Sequence, residues 1–158
     1  MTKKGLFKKQ FTPGQALQKI KHYCAYQDRC HSEVKQKLYS MGAGKKHFDS
    51  IIAKLVEEGY LDEERFAIAF AGGRFRIKQW GRVKIKHEMK QKQVSELSIN
   101  KALKQINGKE YVEVLNRLAD NKYSSLQNEQ PLTRKKKTMD YLLQKGFEWE
   151  LVRELLLE

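Results

Sequence analysis

Proline is nearly absent: Pro13 and Pro131 are the only two in 158 residues. A chain so poor in the residue that breaks helices, and rich in Leu, Lys, Glu, Gln and Ala, is expected to be helical throughout. Cysteine is equally scarce. Cys24 and Cys30, with His22 and His31, make the only conceivable metal cluster, and the pattern H-x-C-x5-C-H matches no usual zinc spacing. On a helix, His22 and Cys24 would also point about 200° apart. Both thiols are expected to be reduced, with no metal and no cofactor bound. No run of about 18 apolar residues occurs, so no membrane-spanning helix is expected. The basic start, Met1 to Lys9, lacks the following apolar core of about 7–15 residues that marks a secretory signal. A cytoplasmic protein is the expectation.

Catalytic patterns are missing as well. Gly42-Ala43-Gly44-Lys45-Lys46 has a faint likeness to a phosphate-binding loop. That loop needs a Gly where Tyr39 stands, a Ser or Thr where Lys46 stands, and a preceding strand rather than a helix. Neither G-x-S-x-G nor H-E-x-x-H occurs, and the four histidines are scattered without a Ser, Cys or Asp partnership. The chain is not expected to be an enzyme.

Acidic residues are the minority charge. Lys and Arg number 32 against 19 Asp and Glu, a formal net charge of +13. Such an excess says nothing of fold, but it draws the chain toward polyanions: DNA, RNA or acidic protein surfaces.

What is abundant is internal repetition. Gly42, Gln93 and Gly146 serve as reference points 51 and 53 residues apart. Four residues before each lies Leu38, Met89 or Leu142, and one after lies Ala43, Val94 or Phe147. Six after come Phe48, Ile99 and Val152; nine after, Ile51, Ala102 and Leu155; ten after, Ile52, Leu103 and Leu156. These offsets fall on one stripe of a helix. Val34 and Leu38, like Ile85 and Met89, stripe the helix before it. An earlier apolar segment opens each copy: Ala16 to Tyr26, Phe66 to Phe75, Tyr111 to Leu118. The expected fold is all-α, with three tandem three-helix repeats in an elongated array. A basic N-terminus without order is expected over 1–12 (1–10 most clearly), with repeats over 13–61, 62–107 and 108–158.

Boundary residues agree. Thr12-Pro13-Gly14-Gln15 reads as an N-cap, a first-position proline and a capping-box Gln. Asp62-Glu63-Glu64 suits a helix N-terminus. Gly42, Gly59, Gly81, Gly108 and Gly146 are placed at helix ends. Pro131 with Thr133 restarts a helix, and Ser124 to Gln130 is the expected long loop. Trp80 and Trp149 read as packing anchors at junctions.

Between Arg74 and Lys92 stand eight basic residues and one acid, Glu88. With Ile85 and Met89 facing the core, Arg82, Lys86 and Lys90 fall about 60°, 100° and 140° to one side, and Lys84 lies on the other flank. Lys135 and Lys137 repeat the places of Arg82 and Lys84. The candidate contact residues are Arg74, Arg76, Lys78, Arg82, Lys84, Lys86, Lys90, Arg134, Lys135 and Lys137. Lying outside the apolar seam, Arg82, Lys86 and Lys90 are expected to tolerate charge reversal without loss of fold. Two readings stand at this point: a solvated lysine-rich face, or a contact face for an anion. The acidic clusters at Glu57 to Glu64 and from Glu148 onward could meet basic neighbours within the chain or on a partner.

Several of these residues together resemble the RecX family, the regulators of the RecA recombinase. Arg29-Cys30-His31-Ser32-Glu33 with Leu38 and Gly42 is similar to its first-repeat signature. Gly59-Tyr60-Leu61-Asp62-Glu63, then Phe66-Ala67, is similar to its G-Y-L-D-[DE]…F-A stretch. Arg74, Trp80-Gly81, Lys84-Ile85 and Glu88-Met89 follow its R-x5-[WY]-G-x2-[RK]-I-x2-E-[LM] pattern. The likeness departs at Gln93-Val94, where that family usually has Gly-Ile, and is loose in the third repeat. The resemblance implies three tandem three-helix repeats, with binding along the groove of a RecA–DNA filament. It further implies down-regulation of RecA's ATPase, strand-exchange and co-protease activities. Apart from the resemblance, a monomer is expected, and the basic charge leaves room for weak direct nucleic-acid binding. The alternative is a stand-alone helical DNA- or RNA-binding protein. Its mostly lysine flank suits phosphates better than base edges.

Overall fold

A computed structural model of the chain describes residues 11–157. The stretch 1–10, expected to lack order, lies outside the described residues. Nine α-helices and no strand occur among those residues: α1 Pro13–Tyr26, α2 His31–Ser40, α3 Phe48–Glu57, α4 Glu63–Lys78, α5 Arg82–Gln91, α6 Glu96–Lys104, α7 Gly108–Ser125, α8 Pro131–Gln144 and α9 Trp149–Leu157. A single 3-10 turn, Lys45–His47, precedes α3. The all-α reading in three-helix groups is thus observed. By contacts the chain divides into two units. Unit 1 runs to Phe66 and takes in Lys92–Val94; unit 2 holds Ala67–Gln91 and everything from Ser95.

In unit 1, α1 packs on both α2 and α3. The stripe of α1 (Ala16, Ile20, Cys24) meets Val34 and Leu38 of α2 and Phe48, Ile51, Ile52 and Leu55 of α3 in one core. Thr12 caps α1 as its sequence implies: its hydroxyl accepts from the Gln15 N–H at 3.2 Å, and the Gln15 side chain accepts from the Thr12 N–H at 3.1 Å. Asp62 caps α4 through the Arg65 N–H at 3.0 Å. Arg65 also donates to Asp28 at 2.6 Å and to the Gly59 carbonyl at 3.2 Å. It thereby pins the α3–α4 turn to the α1–α2 turn. The acidic knot is partly answered within the chain, with Glu58 paired to Lys21 at 2.7 Å.

In unit 2, Ile85, Met89, Ile99 and Leu142 are completely buried, as their periodicity requires. Tyr111 stacks between Phe75 and Phe147, with ring centroids 5.7 and 5.2 Å away. Thr138 occupies the register of Ile85 in the third repeat and is completely buried; its hydroxyl donates to the Arg134 carbonyl at 2.8 Å. A buried hydroxyl bonded one turn back along its helix is satisfied and leaves no orphaned polar group. The expected stripe of α9 is only partly realised: Val152 is buried, whereas Leu155 is 38 % exposed. The helix packs against α8, and that packing leaves Leu155 partly uncovered.

Gly42, Gly59 and Gly146 all carry positive φ just past a helix. The next N–H in each case, of Ala43, Tyr60 or Phe147, returns to the carbonyl of Leu38, Leu55 or Leu142. That bond satisfies a carbonyl the helix leaves open. Gly108 and Gly81 correct the expectation. Gly108 is the first residue of α7, whose N-cap is Asn107. Gly81 precedes α5, and its carbonyl accepts from Ile85. The left-handed residue after α4 is Gln79, at φ 56. The loop expected over 124–130 is shorter, because α7 continues through Ser125. Trp149 opens α9 and is 47 % exposed, so it anchors no junction.

Gln93 adopts φ 62 in the place that Gly42 and Gly146 occupy in the other repeats. A side chain there costs about 1–2 kcal/mol, and glycine's extra chain entropy offsets about 0.5–1 of that. Gln93→Gly is therefore expected to stabilise the protein by about 1 kcal/mol, raising the thermal midpoint by about 2–4 °C. A melting curve for the variant checks this, and a lower midpoint contradicts it.

Candidate functional site

The ten cations singled out by sequence separate into two groups. Arg82, Arg134 and Lys137 are engaged within the fold. The Arg82 guanidinium donates to Glu148 at 2.8 Å and lies 3.8 Å from the centre of the Tyr111 ring. Arg134 lies 3.8 Å over Tyr123 and donates to that residue's carbonyl at 2.7 Å. Lys137 pairs with Glu129. Arg74 is also turned inward, 4.6 Å over Phe70 and 5.5 Å over Trp80, with its Nε buried and unbonded. Arginine suits these places because its flat, weakly hydrated guanidinium stacks on rings while donating in plane.

Arg76, Lys78, Lys90 and Lys135 are exposed, and Lys86 is half-buried. None of these five has an ion-pair partner among the described residues. The Arg76 guanidinium folds back across Gly72, where an added Cβ would stand 2.7 Å from Nη1. Lys84 is half-buried, with its ammonium 4.4 Å over Trp80. Within unit 2, Arg76 and Lys78 end α4, Lys84, Lys86 and Lys90 ride on α5, and Lys135 sits on α8.

The expected tolerance of the Arg82, Lys86, Lys90 reversal needs correction at Arg82. The Arg82 N–H donates to the Tyr111 hydroxyl at 3.0 Å. That hydroxyl in turn donates to Glu148, the same carboxylate that receives the Arg82 guanidinium. Glutamate at 82 would set two carboxylates against each other in a half-buried joint. Burial, then the bond to Glu148, hold Tyr111 far above the usual phenol range, so it stays a donor at every working pH. Tyr111→Phe removes the acceptor of the Arg82 N–H and the donor to Glu148. The expected cost is about 1–3 kcal/mol, read from urea unfolding. Unchanged stability would show the cluster to be dispensable.

The residues most visible in the sequence turn out to be joints. Arg29 lies 3.7 Å over Tyr23 and donates to its carbonyl at 3.1 Å. Ser32 donates to the Lys92 carbonyl at 2.6 Å. In unit 2 the equivalent positions repeat this joint through backbone: Gly81 N–H to Lys145 O at 2.8 Å and Val83 N–H to Gly146 O at 2.9 Å. Cys24 and Cys30 are buried, and burial raises both thiols above their ordinary range. That favours the inert protonated form. Among the described residues no cluster of three or more His, Cys, Asp or Glu is placed to share an ion. A hollow of about 490 Å³ in unit 1 is lined, among the described residues, by Phe11, Lys19, His22, Tyr23, Lys37 and Met41, none of them a carboxylate. No helix among the described residues is long and apolar enough to cross a membrane.

Comparison with known proteins bears on what such a frame belongs to. The second three-helix domain of RecX matches residues 62–103, and its third three-helix domain matches residues 109–156. The chain is 34 % identical over 130 residues to a protein of Pelodictyon phaeoclathratiforme named regulatory protein RecX, covering 81 % of this chain and 79 % of that one. It is 34 % identical over 126 residues to a protein of the same name from Clostridium tetani, covering 78 % and 57 %. A crystal structure of RecX from Lactobacillus salivarius superposes with a TM-score of 0.81 at 23 % identity, over 92 % of this chain and 97 % of that one. The structural likeness speaks for the fold alone, and the sequence likeness for descent. This chain is a member of the RecX family of regulatory proteins.

Proposed function

We propose that this protein binds the RecA–DNA filament and restrains RecA's ATPase, strand-exchange and co-protease activities. It does so as a monomeric, cytoplasmic, non-catalytic regulator built of repeats at 13–61, 62–107 and 108–158. The observation that carries this reading is the division of the cations. Those engaged in joints hold the helices, while Arg76, Lys78, Lys86, Lys90 and Lys135 have no carboxylate partner among the described residues. A set of unpaired cations on a family frame supports contact with an anionic polymer, and a RecA–DNA filament offers phosphates and acidic side chains together. Lysine supplies such contacts as mobile point charges suited to phosphate, without reading base edges.

The test is RecA's DNA-dependent ATPase on single-stranded DNA, titrated with this protein. The expected result is a fall in ATP turnover at ratios well below one per RecA protomer, with no turnover by this protein alone. An ATPase unchanged at equimolar protein, with no co-sedimentation on the filament, overturns the reading.

A further inference from the structure

Lys78 ends α4, Lys84 stands in the first turn of α5, and Lys145 sits in the turn between α8 and α9. Distant in sequence from the other two, Lys145 meets them in unit 2 beside the contact of Gly81 with Gly146. The Lys145 ammonium donates to the Lys78 carbonyl at 2.7 Å, which fixes its position. Gly146, the next residue, lies so close to Lys84 that an added Cβ would stand 2.2 Å from the Lys84 Cβ. The Lys84 ammonium is in turn seated over Trp80.

Among the described residues, nothing neutralises this cluster. No carboxylate pairs with any of the three lysines among the described residues. Glu148, three residues beyond Lys145, is engaged by Arg82 and Tyr111. Burial first, then the charges of Lys84 and Lys78, push the Lys145 ammonium below the ordinary lysine range. The Lys145 charge, fixed on the Lys78 carbonyl with the Lys84 backbone beside it, is relieved when an anion joins it.

The surroundings narrow the anion. The N-terminus of α5 offers it little, because the N–H groups of Gly81, Arg82 and Val83 already donate to Lys145 O, Tyr111 Oη and Gly146 O. The Trp80 ring already carries two cations, Arg74 at 5.5 Å and Lys84 at 4.4 Å, which compete with a base for it. Ammonium groups are what remain, and they suit phosphate oxygens rather than planar bidentate partners.

We infer that Lys78, Lys84 and Lys145 form a binding site for the phosphodiester backbone of nucleic acid, recognised without regard to base. The inference rests on the filament reading only for the presence of nucleic acid beside this protein.

The test uses the full chain and fluorescent single-stranded oligonucleotides of thymine or adenine, without RecA, followed by anisotropy across a salt series. Wild type is expected to bind both equally. The Lys78→Gln, Lys84→Gln, Lys145→Gln triple variant should bind about tenfold or more weakly at low salt, its log–log salt slope lower by about 2. A triple Lys→Arg variant should restore binding. Lys84→Gln alone, which leaves the Lys145 bond in place, should show a partial loss and guards against misfolding of the triple. Oligonucleotide binding by both variants equal to wild type overturns the inference. Co-sedimentation with RecA filaments separates the two claims. A triple variant that binds oligonucleotide normally but loses the filament assigns the cluster to an acidic protein surface, which overturns the inference and leaves the function standing. A wild type that binds oligonucleotide through these lysines but ignores the filament overturns the function alone.

Discussion

Gly146→Ala is expected to cost about 3 kcal/mol or more, the sum of overpacking at about 1–3 and a left-handed backbone at about 1–2. The added Cβ would stand 2.2 Å from Lys84 Cβ and 2.7 Å from Lys84 N, at φ +96. Relief cannot come from a rotamer change, because the atoms it meets are backbone or the first carbon of a side chain. The start of α5 would have to retreat from the turn before α9, and with it the bonds from Gly81 N–H to Lys145 O and from Val83 N–H to Gly146 O. Gly81→Ala makes the same demand from the other side, its Cβ meeting Gly146 C and O at 2.3 Å. Gly73 is the internal control. It lies within α4 with nothing within 4 Å of an added Cβ, so Gly73→Ala should stabilise by about 0.5–1 kcal/mol. Urea unfolding of the three variants decides the matter, and equal stabilities for Gly73→Ala and Gly146→Ala would refute the close contact.

Met89→Ala is expected to cost about 2–5 kcal/mol. The side chain is completely buried on α5, and its removal opens a cavity between helices that the joints at Gly81 and Tyr111 keep from closing. Its neighbour Lys90 is exposed, so Lys90→Ala should fall within about 0.5 kcal/mol of wild type. The pair tests whether the seam and the flank of α5 are separable. Similar losses for both would mean that the flank also bears on the core.

The helices were legible because their apolar spacing is strong and their caps are ordinary. Thr12-Pro13-x-Gln15 at the head of α1 and the glycines after α2, α3 and α8 speak through local chemistry alone. Gly108 was misleading because glycine is tolerated at both ends of a helix. The better signal was Asn107, whose side chain accepts from the Glu110 N–H at 3.0 Å. Gln79 and Gln93 hide their left-handed backbone, since nothing in a glutamine announces it. The contact face was legible only in outline. Arg82 reads like any other cation of its run, and its partner Glu148 is 66 residues away. Only tertiary structure can set such a cation apart from Lys86 or Lys90. Lys145 was overlooked for the same reason, since it stands between Gln144 and Gly146 with no basic neighbour to mark it.

The central claim, that the unpaired cations engage a nucleoprotein filament, is tested most directly by a salt titration of binding to RecA filaments. Wild type is compared with a variant carrying Arg76→Glu, Lys86→Glu, Lys90→Glu and Lys135→Glu. These four are chosen because none has an ion-pair partner among the described residues, and Arg82 is spared for its joint with Glu148. The expected result is an unchanged thermal midpoint with weaker filament binding, most evident at low salt. The slope of log affinity against log salt should fall by about 0.7–0.9 for each phosphate that the variant no longer neutralises. A folded variant that binds the filament with wild-type affinity and slope would contradict the claim, and would leave those cations as a solvated surface.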